Sequence, residues 1–184
     1  MNRMYMSGGE TEKVRDRVLP FLKGKCNGLD IGYGGDPITP SVICMDVNTR
    51  YTNVGNFPQQ LTGSATNLYW FKDGVLDYVY SSHLLEDYSD PRPLLQEWLR
   101  VLVVGGLLIL YLPDEKKYRA KCQALGESPN CNHHNDEMGL KWMKTFLNAE
   151  FPSVELIYEF EELGYLEYSF LLVLRKRGMP NVGV

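Results

Sequence analysis

The run LLILYLP, Leu107 to Pro113, most constrains what this chain can become. It is too short to cross a bilayer, which takes about 20 apolar residues. It is also too uniformly apolar for a strand with one face in water. A strand apolar on both faces belongs in the middle of a covered, parallel sheet. The segments around it supply the rest of that architecture. Upstream, Pro91 opens a helix through Leu94, Leu95, Trp98, Leu99 and Leu102, which Gly105 and Gly106 are expected to end.

Earlier in the chain, Glu10 to Leu22 has apolar residues at helical spacing, with Pro20 placed to kink or end the helix. Short strands are predicted at Gly28 to Ile31, Val42 to Met45, Gln60 to Gly63 and Leu76 to Ser82. Residues 114–139 read as one short helix followed by a polar loop, and Leu140 to Leu147 as a helix. Val154 to Glu159 and Tyr168 to Leu174 read as a closing β-hairpin. Alternating strands and helices predict an α/β fold. The expected form is a doubly wound, seven-stranded, mostly parallel Rossmann-like sheet with a C-terminal antiparallel hairpin. No repeat or second domain is visible, so residues 1–184 read as one unit.

In such a sheet, ligands bind beyond the carboxyl ends of the strands, where strand order reverses. The stretch LDIGYGGDP, Leu29 to Pro37, stands at that place. Gly32 and Gly34 permit a tight turn and close approach to a ligand. Asp46 ends the second strand, where a carboxylate can accept hydrogen bonds from two ribose hydroxyls. Together they imply an adenosine-bearing ligand. The dinucleotide fingerprint G-x-G-x-x-G fails at Pro37, and Asp46 follows Gly32 by 14 positions, where about 20 are expected. Asp30 before the turn would repel a pyrophosphate and suits an ammonium or sulfonium group. No G-K-[ST] follows the glycines, so a phosphate-binding P-loop also fails.

LDIGYGG, VICMDVN, LDYVYSSHLLEDYSDPRPLLQEWLRVLVVGGLLILYLP and the closing hairpin resemble successive motifs of the class I S-adenosylmethionine-dependent methyltransferases, of the small-molecule type. The resemblance implies S-adenosylmethionine as cofactor. It places Asp30 and Gly32 beside the methionyl end, with Gly34 shaping the loop. It sets Asp46 on the ribose, and Val47, Ser64 and Ala65 around adenine. Ser81 borders the cofactor, and His83 and Leu84 enter the substrate-facing wall. Tyr33, Asp36, Ser64 and Asp87 depart from residues common at these positions in the family.

The implied reaction moves a methyl group to an oxygen or nitrogen of a small-molecule acceptor. His83 is the candidate base, since unperturbed imidazole titrates near pH 6.5. Residues 1–13 and 114–139 are the expected cover over the acceptor, with His133 and His134 in it. Two other readings stay open: a non-catalytic protein of this fold that binds a partner, and a nicotinamide-dependent oxidoreductase. Cys122, Cys131, His133 and His134 lack the close pairing of a structural zinc site, and no metal is expected. Tyr69, Trp70 and Phe71 could line a pocket or pack a core. Glu159, Glu161 and Glu162 read as a solvated rim.

A formal charge of −4 gives no broad footprint for nucleic acid, and no D/N-P-P-Y/F signature lies around Val79 to His83. The polar N-terminus and four scattered cysteines predict a reduced, cytoplasmic protein without membrane association. Oligomeric state is not legible.

Overall fold

The structure, a computed structural model, describes residues 9–47 and 57–178. One sheet holds β1 Gly28–Ile31, β2 Ile43–Asp46, β3 Leu61–Thr62, β4 Leu76–Ser82, β5 Leu102–Pro113, β6 Val154–Glu161 and β7 Ser169–Lys176. Their order is β3-β2-β1-β4-β5-β7-β6. The pairs among β1 to β5 are parallel, and β7 runs antiparallel to both β5 and β6. The helices are α1 Glu10–Val18, α2 Arg92–Val101, α3 Glu115–Leu125 and α4 Leu140–Glu150. The chain moves outward from β1 to β3 and then returns to pair β4 with β1. The reversal therefore falls between β1 and β4, where such sheets leave a crevice.

β5 is covered on both faces, as its composition requires. Leu108, Leu110 and Leu112 share a core with Leu95 and Trp98 of α2 and Met143 of α4. Leu107, Ile109 and Tyr111 face Val14 and Val18 of α1 instead. Burial of each such side chain is worth about 1.5–3 kcal/mol, so neither face of β5 can be left open to water.

Two boundaries follow from proline and glycine. α1 stops at Val18, and a 3₁₀ turn, Leu19–Leu22, carries the chain past Pro20, which has no amide hydrogen to continue the helix. Gly105 and Gly106 do not end α2, contrary to expectation. Leu102 is already paired with Leu76, and pairing resumes only at Tyr78 and Leu107. The intervening residues of β5 bulge out, and a Cβ on Gly106 would lie 2.8 Å from the Val103 carbonyl oxygen. The glycine serves a close backbone approach inside the strand.

Candidate functional site

The glycine turn begins where β1 ends. Gly32 has φ +72°, and its amide donates to the Met45 carbonyl at the end of β2, 2.8 Å away. A left-handed conformation suits a residue without Cβ. The space is restricted as well, since a Cβ there would meet Leu84 Cδ2 at 2.9 Å. Asp46, the last residue of β2, accepts the Gly34 amide on Oδ2 at 3.1 Å and the Val47 amide on Oδ1 at 2.7 Å. Its carboxylate thus orders the turn while remaining partly open.

Over these strand ends lies a cleft of about 340 Å³. Gly32, Asp46, Val47 and Ala65, four of the predicted cofactor residues, line it, with Ile31, Met45 and Gly63 forming its floor and side. Leu84, Asp87 and Tyr88 form one wall, and Asn132 and His134 stand on another. An apolar floor with one carboxylate at a glycine turn fits an adenosine-bearing molecule.

The other predicted residues sit around the cleft rather than on it. Asp30 is buried beneath the turn, and its Oδ2 accepts the Ile38 amide at 2.7 Å. It orders the loop from below. Ser81 is fully buried and donates to the Ile31 carbonyl at 3.0 Å, tying β4 to β1. Ser64 is exposed beside the cleft, 2.8 Å from the Thr66 hydroxyl.

His83 also lies off the cleft. It follows β4 with φ +49°, and its amide donates to the Tyr111 carbonyl. That left-handed turn directs its ring toward β7 and α1, where Nε2 lies 3.1 Å from Ser169 Oγ and 3.6 Å from Glu10 Oε2. Burial lowers its pKa to about 4, opposed by the charge of Glu10. A neutral ring at this place is a packed one.

Several supports of the site carry no sequence signature. Trp98 Nε1 donates to the Ala65 carbonyl at 2.9 Å, so α2 fixes the residue that borders the cleft. Glu97 accepts the Leu68 amide at 2.7 Å, and Arg100 donates to the carbonyls of Leu68 and Phe71. Arg15 of α1 reaches Asp36 and the Pro37 carbonyl, which explains an acid in place of a loop glycine. Tyr33 is buried, and its hydroxyl donates to the Phe57 carbonyl.

The aromatic trio is divided. Phe71 packs on the core, while Tyr69 and Trp70 make an edge contact at 4.6 Å and do not line the cleft. Glu162 is not a solvated rim residue, because it is buried and accepts the Tyr111 hydroxyl at 2.8 Å. Burial pushes the carboxyls of Asp30 and Asp46 above the ordinary range, Asp30 strongly. Among the described residues, no group of three His, Cys, Asp or Glu side chains is arranged to hold a metal ion. Nor is any helix there long and apolar enough to cross a membrane.

Residues 29–110 match the family described as a methyltransferase domain. No curated protein matches the chain. A SAM-dependent methyltransferase from Archaeoglobus fulgidus is similar in structure, with 17% identity and a TM-score of 0.63, over 91% of this chain and 95% of that one. One from Methanosarcina mazei has 18% identity and a TM-score of 0.62, over 88% and 97%. The CurJ carbon methyltransferase has 15% identity and a TM-score of 0.66, over 91% of this chain and 54% of its own.

The family match runs from β1 into β5, and the sheet order is that of a Rossmann-like methyltransferase fold. The similar structures from Archaeoglobus fulgidus and Methanosarcina mazei are SAM-dependent methyltransferases, and this chain shares their fold.

Proposed function

We propose that this chain is an S-adenosylmethionine-dependent methyltransferase that acts on an oxygen or nitrogen of a small-molecule acceptor, with the cofactor held by Gly32, Asp46, Val47 and Ala65. The observation that carries the reading is the partly open carboxylate of Asp46 at the end of β2, joined to the Gly34 amide. Asp46 is suited to accept from the two ribose hydroxyls, and the backbone at Gly32 to lie against the methionyl end. Val47 and Ala65 supply apolar contact for adenine, and the exposed Ser64 hydroxyl can meet its edge. Asp30 and Ser81 act through the backbone they hold.

Bound S-adenosylmethionine supplies an electrophilic methyl group on a sulfonium. The protein's tasks are to align the acceptor lone pair, exclude water and take a proton from a hydroxyl or ammonium acceptor. Besides Tyr88, the titratable cleft residues on the walls away from Asp46 are Asp87 and His134. We assign them to the acceptor side and His83 to positioning the turn after β4. Segment 114–139 supplies one wall through Asn132 and His134, which supports its reading as a cover. The other proposed cover, residues 1–13, includes residues 1–8, which lie outside the described residues. All four cysteines are free, in keeping with a reduced, cytoplasmic setting.

The test is calorimetric binding of S-adenosylmethionine and S-adenosylhomocysteine, followed by label transfer to a panel of small alcohols, phenols and amines. His134→Ala and Asp87→Asn should lower transfer while leaving S-adenosylhomocysteine binding within a few-fold. Label on carbon alone, or transfer unchanged in both variants, would overturn the assignment.

A further inference from the structure

Two walls of the cleft meet behind it. Leu84, Asp87 and Tyr88 belong to the segment after β4, which contains a 3₁₀ turn, Leu85–Asp87. Asn132 and His134 belong to the strap that runs from α3 to α4. His133 lies between those two cleft residues, yet its side chain is only 8% exposed. The ring is inserted between two buried carboxyls from different elements. Its Nδ1 is hydrogen-bonded to Glu115 Oε1 of α3 at 2.6 Å, and its Nε2 lies 3.9 Å from Glu86 Oε1 of the 3₁₀ turn. The Tyr118 ring packs beside it at 4.9 Å. The next backbone amide, that of His134, donates to the Glu86 carbonyl at 2.9 Å.

Glu86 is the unusual member. Its side chain is 1% exposed, and neither carboxyl oxygen has a hydrogen-bond partner outside its own residue. His83 Nδ1 on one side and His133 Nε2 on the other stand 3.6 and 3.9 Å from its Oε1, beyond hydrogen-bond range. A buried, unpartnered carboxyl costs free energy that water would return. The seated strap therefore covers a group whose hydration favours opening, while the bond from His133 to Glu115 favours closure.

From this opposition we propose that His133 is a positioning residue, a clamp that seats Asn132 and His134 in the cleft, with Glu86 set as its release. Contacts between ligand and the seated strap shift the balance toward closure, and loss of those contacts lets it lift. The inference rests on the cleft being the cofactor site, but the clamp itself can be read without any ligand.

The experiment uses the full chain and a glutamyl endopeptidase, with Glu127 and Glu137 as the strap's cleavage sites. His133→Ala should raise the strap's cleavage rate about tenfold and weaken S-adenosylhomocysteine about tenfold. His133→Asn, which can still donate to Glu115, should recover most of both. Glu86→Leu, which removes the buried carboxyl, should move both readings the other way, with slower cleavage and slower S-adenosylhomocysteine dissociation. Should His133→Ala not fold, slower cleavage and slower S-adenosylhomocysteine dissociation in Glu86→Leu, beside near-wild-type values in His133→Asn, decide the matter. Wild-type cleavage rates in all variants would overturn the clamp. So would faster cleavage with unchanged S-adenosylhomocysteine affinity. If the wild-type chain binds no S-adenosylhomocysteine, the cofactor reading fails, and the cleavage rates still judge the clamp.

Discussion

The carboxylate of Asp46 accepts the amide of Gly34 at 3.1 Å, binding the end of β2 to the turn after β1. One side chain thus both shapes the turn and faces the cleft. Asp46→Ala should weaken S-adenosylmethionine by about 10- to 100-fold, the range for losing hydrogen bonds to a charged group. Calorimetry checks this, and an affinity within twofold of wild type would remove Asp46 from the ribose.

Gly32 is held by conformation and by space together. Gly32→Ala should destabilise the fold by about 1–2 kcal/mol from its left-handed backbone alone, with a further cost from Leu84. Leu84→Ala in the same chain should recover the steric part and leave the backbone part. A double-mutant cycle in urea reads the two apart, and strict additivity would show that Leu84 is not the obstacle.

Asp30 carries a pH signature. Burial, followed by the nearby charges of Asp36 and Asp46, raises its pKa well above the ordinary value, against the Ile38 amide that favours the charged form. The folded chain then keeps a proton that the unfolded chain releases above about pH 4. Its contribution to stability is greatest in acid and falls as pH rises toward the folded pKa. Asp30→Asn should remove that decline. Urea midpoints at several pH values test it, since the wild-type chain should lose ground to the variant as pH rises.

His83 acts in the opposite sense. Its pKa of about 4 lies below the 6.5 of an unfolded histidine. Between those values the unfolded chain binds the extra proton, so stability is full above about pH 6.5 and declines as pH falls toward 4. The decline is ~3 kcal/mol at most. His83→Gln should flatten this acid limb. An unchanged limb would mean that other groups carry it.

The sheet was legible because its signals are local. Leu107 to Pro113 had to be covered twice, and the glycine turn followed by Asp46 marks the end of the sheet where the cleft lies. The acceptor side was not legible. The place of His83 after β4 suggests the substrate-facing wall, whereas its left-handed backbone turns the ring toward Ser169 and Glu10. The Trp98 bond to Ala65, the Arg15 contact with Asp36 and the burial of Glu162 join residues far apart in sequence, with no periodicity to announce them. The fold is shared with a carbon methyltransferase, so architecture alone does not set the acceptor atom.

β7 lies between β5 and β6 and is the last strand in sequence among the described residues. Until it docks, β5 offers an unpaired edge along one of the most apolar stretches of the sequence. Such an edge is a template for another chain. Aggregation during synthesis or refolding should therefore depend on how quickly residues 169–176 arrive, and a chain cut before them should precipitate even though every residue lining its cleft is present.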